Sequence, residues 1–270
     1  MSDQAQGSLG LMGCGKMGGA IVQAALRAGV ATPERLLLFD RFAERAQALA
    51  EATGGRAVTS GHQLAQEASH IVLAVKPQDA PKALDKLEWP EAEPRLLMSI
   101  VAGLRLTTLR AWVPDTVELV RAMPNTPALI GQGVTGILAP SSHHLEQARI
   151  LFEACGAVVV LDKEELFDAL TALSGSGPAY IFVAIEALAD GGVRMGLPRA
   201  TALELATRTV LGAAALVTET GRHPAQLKDD VASPGGTTIA GLAALEHNGF
   251  RSALIEAVTA ATTRGQQLGA

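Results

Sequence analysis

A short apolar run, Leu9-Gly10-Leu11-Met12, leads directly into Gly13-Cys14-Gly15-Lys16-Met17-Gly18. Apolar residues, then glycines in the G-x-G-x-x-G spacing, then a helical pattern open a strand–turn–helix unit that grips a dinucleotide. Each glycine has its own reason. Gly13 permits the tight turn, Gly15 lets the backbone approach a pyrophosphate, and Gly18 lets the helix pack close on the strand. The helix start adds unpaired N–H groups and a positive dipole end. The motif therefore predicts a dinucleotide site built on Gly13, Cys14, Gly15, Lys16, Met17 and Gly18. The competing reading is a tight glycine turn that binds nothing, and it leaves the three-glycine spacing without a reason.

The rest of the first half repeats this rhythm. Short, buried-looking runs at Leu9–Met12, Leu36–Phe39, Ile71–Val75, Leu96–Ile100, Val117–Arg121 and Ala157–Leu161 read as strands. Helices are expected at 16–28, 42–53 and 77–87. Alternation of this kind predicts an α/β Rossmann-like domain with a mostly parallel sheet and right-handed crossovers. Beyond Glu164 the strand signals stop. Six helices are expected, at 164–173, 178–190, 198–220, 224–231, 237–248 and 250–268, with Pro178, Pro198 and Pro224 in first turns and Gly191-Gly192, Gly196 and Gly249 as breaks. The predicted domains are 1–163, binding the dinucleotide, and 164–270, all-α. The segment 198–220 is apolar over more than one face, which predicts burial against a partner subunit and hence a homo-oligomer.

Composition narrows the functional classes. Charged residues are 18% and hydrophobic residues 48%, which excludes a disordered chain. The net charge is -5 with no basic stripe, so neither nucleic acid nor an anionic membrane surface is an expected partner. Met1–Gly7 lacks Lys and Arg, so the basic start of a secretory signal is not expected. Glu186, Asp190 and Arg194 interrupt the most apolar stretch, 178–197, and argue against a membrane span. Two cysteines without CxxC spacing suggest apolar filling in a cytoplasmic protein. His143 and His144 are adjacent and cannot share a helix face, so no metal site is expected.

Other strand ends carry candidate ligand groups. Asp40 closes the second strand, where a carboxylate accepts from the adenosine ribose 2′-hydroxyl and repels a 2′-phosphate. Arg41, next in line, suits a 2′-phosphate instead, so the pair leaves NADH against NADPH open. Ala74-Val75-Lys76-Pro77 places Lys76 either at a cofactor ribose or phosphate or in a plain surface turn. In Arg121-Ala122-Met123-Pro124-Asn125-Thr126-Pro127, Asn125 either binds the nicotinamide carboxamide or braces its own loop. Ser174-Gly175-Ser176-Gly177-Pro178 is either a structural helix start or a close approach to cofactor. Ser233-Pro234-Gly235-Gly236-Thr237-Thr238 leads into a helix. It is either an ordinary N-cap or a carboxylate site, and three hydroxyls with two glycines exceed what one cap requires.

With these segments assembled, the chain resembles the pyrroline-5-carboxylate reductase family over nearly its whole length. The resemblance rests on the glycine loop, Ala74–Pro77, Met123–Pro127, Ser174–Tyr180, Ala187–Val193, His223-Pro224, Leu227-Lys228-Asp229 and, most specifically, Ser233–Thr238 followed by Gly249-Phe250-Arg251. It implies NAD(P)H-dependent reduction of 1-pyrroline-5-carboxylate to L-proline, with an all-helical domain that forms homodimers, which often associate into larger rings. It further implies that Ser233, Gly235, Gly236, Thr237 and Thr238 hold the substrate carboxylate in a loop supplied by the other subunit. Ser233 and Thr238 would then be the catalytic pair, with Thr238 reaching the ring nitrogen. Glu164 and the loop Ile100-Val101-Ala102 are carried over as cofactor neighbours, with Val101 replacing a common alanine and adding bulk. Asp40 stands where NADPH-preferring members often have a small hydroxylic residue. The alternatives are a β-hydroxyacid dehydrogenase, which needs a lysine general acid after the glycine-rich turn where this chain has 178–183 without one, and a non-catalytic dinucleotide sensor, for which a carboxylate loop has no use.

Overall fold

The computed structural model describes residues 7–85, 87–90 and 94–268. Most of the N-terminal stretch considered for a signal, and Lys86 within the expected helix 77–87, lie outside the described residues. The chain divides into two compact units: residues up to Gly175 together with those from Ala261 onward, and Ser176–Ala260.

The first unit is an α/β sheet with helical crossovers. Its elements run β1 (Leu9–Met12), α1 (Lys16–Arg27), β2 (Leu36–Phe39), α2 (Ala43–Thr53), β3 (Arg56–Ala57), α3 (Gly61–Glu67), β4 (His70–Leu73), α4 (Ala80–Leu84), β5 (Arg95–Ser99), α5 (Leu106–Arg110), β6 (Val117–Pro124), β7 (Gly133–Leu138), α6 (Ser142–Glu153) and β8 (Gly156–Val160). The sheet order is β3-β2-β1-β4-β5-β6-β7-β8. All neighbours are parallel except β6 and β7, which pair antiparallel with Arg121 opposite Leu138. The short β3 and the reversed β7 add two strands to the six expected, and α3, α5 and α6 add helices. The expected helix 77–87 is shorter, a 3-10 turn at Pro77–Asp79 followed by α4.

Period-two alternation distributes the core. Leu36 and Leu38 face one helical layer while Leu37 faces the other; Leu96 and Met98 oppose Leu97, and Val72 opposes Ile71 and Leu73. Burial on both faces is why these strands are continuous apolar runs. The chain builds β2 and β3 outward from β1, then returns to lay β4 against β1's other side. That reversal opens a crevice beyond the carboxyl ends of β1 and β4, where ligands of such sheets bind.

After β8 the first unit continues through a 3-10 turn at Glu164–Leu166, α7 (Phe167–Leu170) and a π-helical turn at Thr171–Gly175. The second unit contains α8 (Gly177–Arg194), α9 (Arg199–Thr220), α10 (Pro224–Asp230) and α11 (Thr237–His247); α12 (Phe250–Leu268) begins in it. Gly191-Gly192 does not break α8. A β-carbon at Gly192 would stand 3.1 Å from Cβ of Ala202 on α9, so this glycine serves helix–helix approach. The break comes at Gly196, at φ +100.

The second unit has a very small core, Ala189, Ala202 and Ala206. Phe182, Val183, Leu211 and Ile255 are all more than 60% exposed, which leaves broad apolar helix faces uncovered in one chain. Two helical stretches, 164–194 and 199–220, are long and apolar enough to cross a membrane by length and composition. In α8, however, Glu186, Asp190 and Arg194 recur every four residues and line one face, and Asp190 is ion-paired to Arg199.

Candidate active site

At the crevice the three glycines meet three different constraints. Gly13 sits at φ +107, and a β-carbon there would lie 2.7 Å from the Ala74 carbonyl oxygen. A β-carbon on Gly18 would come within 2.5 Å of the Gly13 carbonyl oxygen and 2.9 Å of Leu11 Cδ1. Around Gly15 there is nothing within 4 Å, so this glycine keeps space open rather than relieving a protein contact. Gly15 is also the N-cap of α1 and offers no side-chain cap, which leaves the first-turn N–H groups of Lys16, Met17 and Gly18 without intrahelical partners. Open space in front of bare N–H donors fits a pyrophosphate.

Asp40 joins two strand ends. Its Oδ2 accepts from the Cys14 N–H at 2.8 Å and its Oδ1 from the Phe42 N–H at 2.9 Å. Each oxygen retains acceptor capacity for a ribose hydroxyl. Arg41 donates to Asp79 at 2.6 Å, and its guanidinium lies 4.8 Å from the Phe42 ring centroid. Lys76 is exposed just past β4, and Ala74 extends the β1 pairing by donating to the Met12 carbonyl at 2.8 Å. The Cys14 thiol is pushed up to about 12, first by burial and then by the Asp40 carboxylate, so it stays protonated in the glycine loop.

Along the neighbouring strand ends, Ile100 donates to the Leu73 carbonyl at 3.0 Å. Val101 is 3% exposed and packs with Leu109 and Val113, so the extra bulk expected beside the cofactor is taken up in the core. Ala102 is exposed next to Gly103, at φ +74. Asn125 is buried and has both ends of its amide engaged. Its Oδ1 accepts from the Val134 N–H at 2.9 Å, and its Nδ2 donates to the Ser174 carbonyl at 3.2 Å. Of the two roles open to Asn125, this geometry fills bracing: it ties β7 to the π-helical turn. Glu164 Oε1 accepts from the Leu106 N–H at 2.7 Å and from Arg121 Nη1 at 2.8 Å. Arg121 was assigned no role from sequence. A lone arginine inside an apolar strand was the signal, because a cation there must find an anion.

In the second unit, Ser233–Thr238 opens α11. Gly235 is at φ +67, and a β-carbon on Gly236 would collide with Ser233 Oγ. Gly236 is the N-cap of α11 and supplies no side-chain cap. None of the three hydroxyls caps this helix, so its first N–H groups remain available to an anion.

Among the described residues, no group of three or more His, Cys, Asp or Glu side chains could hold a metal ion. A cleft of about 440 Å³ lined by Pro81, Leu84 and Trp112 holds none of the motif residues.

Two family models match different parts of the chain. A family model for pyrroline-5-carboxylate reductase dimerisation matches residues 164–268, and one for coenzyme F420-dependent NADP oxidoreductases matches residues 8–103. The chain is 46% identical to a pyrroline-5-carboxylate reductase of Synechocystis, over 97% of this chain and 98% of that one. It is 44% identical to a pyrroline-5-carboxylate reductase of Glycine max, over 97% and 96%. The crystal structure of Plasmodium falciparum pyrroline carboxylate reductase with NADP bound superposes with a TM-score of 0.87 at 33% identity, covering 99% of this chain and 100% of that one.

Proposed function

The chain belongs to the pyrroline-5-carboxylate reductase family, and from that premise we propose how its own residues carry the reaction. It is an oxidoreductase that reduces the C=N bond of 1-pyrroline-5-carboxylate to give L-proline, the last step of proline biosynthesis, using NAD(P)H. Hydroxyacid oxidation and a purely sensing role are not favoured, because relatives across nearly the full length carry the reductase name.

When bound, the dihydronicotinamide supplies a hydride to the imine carbon, and the C=N electron pair moves onto nitrogen. The residues that would hold the cofactor are Gly13–Gly18 at the pyrophosphate and Asp40, with Lys76, at the adenosine ribose. Ile100, Ala102 and Glu164 would frame the nicotinamide side, with Val101 backing the loop from the core, and Asn125 braces the frame. The observation that best supports the substrate assignment is the bare start of α11, where uncapped N–H groups stand beside three hydroxyls. Ser233, Gly235, Gly236, Thr237 and Thr238 seat the substrate carboxylate there, and the Thr238 hydroxyl meets the ring nitrogen. A protonated imine already carries the positive charge that hydride addition removes. No strong acid is therefore required, and positioning supplies about 7–11 kcal/mol of the barrier reduction.

The exposed apolar faces of α8 and α9 are covered by a second copy of the chain, giving a homodimer whose partner supplies the Ser233–Thr238 loop; rings of such dimers are the larger assembly. The proposed domain boundary lies at 163/164 and the proposed compartment is the cytoplasm. The test is Thr238→Ala. Loss of a hydrogen bond to a charged group predicts a fall in kcat of about ten- to a hundredfold, with NADH affinity retained and partial activity in Thr238→Ser. Unchanged turnover in Thr238→Ala would remove this residue from the mechanism.

A further inference from the structure

The ribose end of the dinucleotide site contains a second acid that no motif announces. Asp79 lies three residues past Lys76, at the N-cap of α4, and makes no capping bond there. Its Oδ1 instead accepts from Arg41 Nη1 at 2.6 Å. Arg41 directly follows Asp40, and it is the cation the sequence places for a 2′-phosphate. Its guanidinium is thus fixed between Asp79 and the Phe42 ring, whose centroid also has the Arg45 guanidinium within 4.6 Å.

We propose that Asp79 is a specificity-determining positioning residue: by holding Arg41, it withholds the guanidinium from a 2′-phosphate and biases the site toward NADH. This deepens the reductase reading and rests on it. A 2′-phosphate approaching Asp40 needs a compensating cation, whereas a 2′-hydroxyl needs only an acceptor, which Asp40 provides. With Arg41 engaged, Asp40, Arg41 and Asp79 together carry a net negative charge. Replacing Asp79 by asparagine removes one negative charge and frees the positive charge of Arg41 at the same point. The pair is exposed on the Arg41 side, 62% against 23% for Asp79. The effect is therefore scaled as for a surface ion pair, about two- to fivefold.

The experiment measures NADPH and NADH dissociation constants by nicotinamide fluorescence on the full chain. It compares wild type, Asp79→Asn, Asp79→Glu, Arg41→Ala and the double variant Asp79→Asn/Arg41→Ala. Asparagine keeps the helix-start preference of position 79. Asp79→Asn is expected to tighten NADPH up to about fivefold while leaving NADH within about twofold. Asp79→Glu, which keeps the ion pair, should hold the wild-type ratio, whereas Arg41→Ala, which leaves Asp40 and Asp79 without a counter-charge, should weaken NADPH relative to NADH. In the Arg41→Ala background the gain from Asp79→Asn should shrink to the smaller part that comes from removing the Asp79 charge alone. A gain as large without Arg41 as with it, an equal shift for both nucleotides, or no gain at all would overturn the proposal. If the wild type binds both nucleotides yet reduces no pyrroline-5-carboxylate, the reductase reading fails, while the binding ratios still decide the role of Asp79.

Discussion

Removing the carboxylate of Glu164 should cost this protein a substantial part of its stability. One oxygen, Oε1, accepts both the Arg121 guanidinium at 2.8 Å and the Leu106 N–H at 2.7 Å. The Arg121 side chain is 7% exposed and that of Glu164 19%, so Glu164→Ala strands a cation that water barely reaches. Breaking a buried pair in this way costs about 3–5 kcal/mol. Arg121 keeps its stacking on Phe167, 4.3 Å from the ring centroid, which places the expectation near the lower end of that range. Glu164→Gln retains an acceptor but loses the charge and should cost roughly half as much. Adding Arg121→Met to Glu164→Ala should restore most of the loss, because an apolar side chain needs no counter-charge. Urea unfolding at one fixed protein concentration reads these differences, the concentration being fixed because subunit association contributes to apparent stability. A loss below about 1 kcal/mol in Glu164→Ala, or no recovery in the double variant, would refute the reasoning.

Gly15→Ala should fold normally, having open space for the methyl group, yet weaken dinucleotide binding at least about tenfold, as read by fluorescence titration. Gly18→Ala should instead lower the melting temperature, because its β-carbon would press on the Gly13 carbonyl oxygen at 2.5 Å. Asp40→Ser should shift the kcat/KM ratio toward NADPH, and no shift would mean that Asp40 does not touch the ribose. The Cys14 thiol has its pKa raised from 9.0 to about 12, so the fold favours the protonated form. Its contribution is therefore complete below about pH 9 and is lost as pH rises toward about 12; Cys14→Ala should flatten the stability profile across that window.

What the sequence revealed follows from how local the cause was. The glycine loop was legible because the spacing of Gly13, Gly15 and Gly18 is local, although the atom that crowds Gly13 belongs to Ala74 at the neighbouring strand end. The start of α11 was legible as a helix start from residue types within six positions, while the choice between a capped and an uncapped start needs the structure. The reversed strand β7 was missed because Gly133-Val-Thr-Gly-Ile-Leu differs little from a parallel strand, and its direction is set by pairing with β6. Gly191-Gly192 looked like a helix break because the reason for Gly192 sits on another helix, at Ala202. The Arg121–Glu164 and Arg41–Asp79 pairs join residues 43 and 38 positions apart, and no local pattern records such distances. The burial of Val101 with Leu109 and Val113 depends on residues outside its own loop, so the loop sequence does not record it.

The most direct test of the account is the fate of one hydrogen. Pyrroline-5-carboxylate incubated with the purified chain and nicotinamide cofactor deuterated at C4 should yield L-proline with a single deuterium at C5, one per cofactor oxidised, as read by mass spectrometry and NMR. Cofactor oxidation without proline, or proline carrying solvent hydrogen at that carbon, would contradict direct transfer between the two bound molecules.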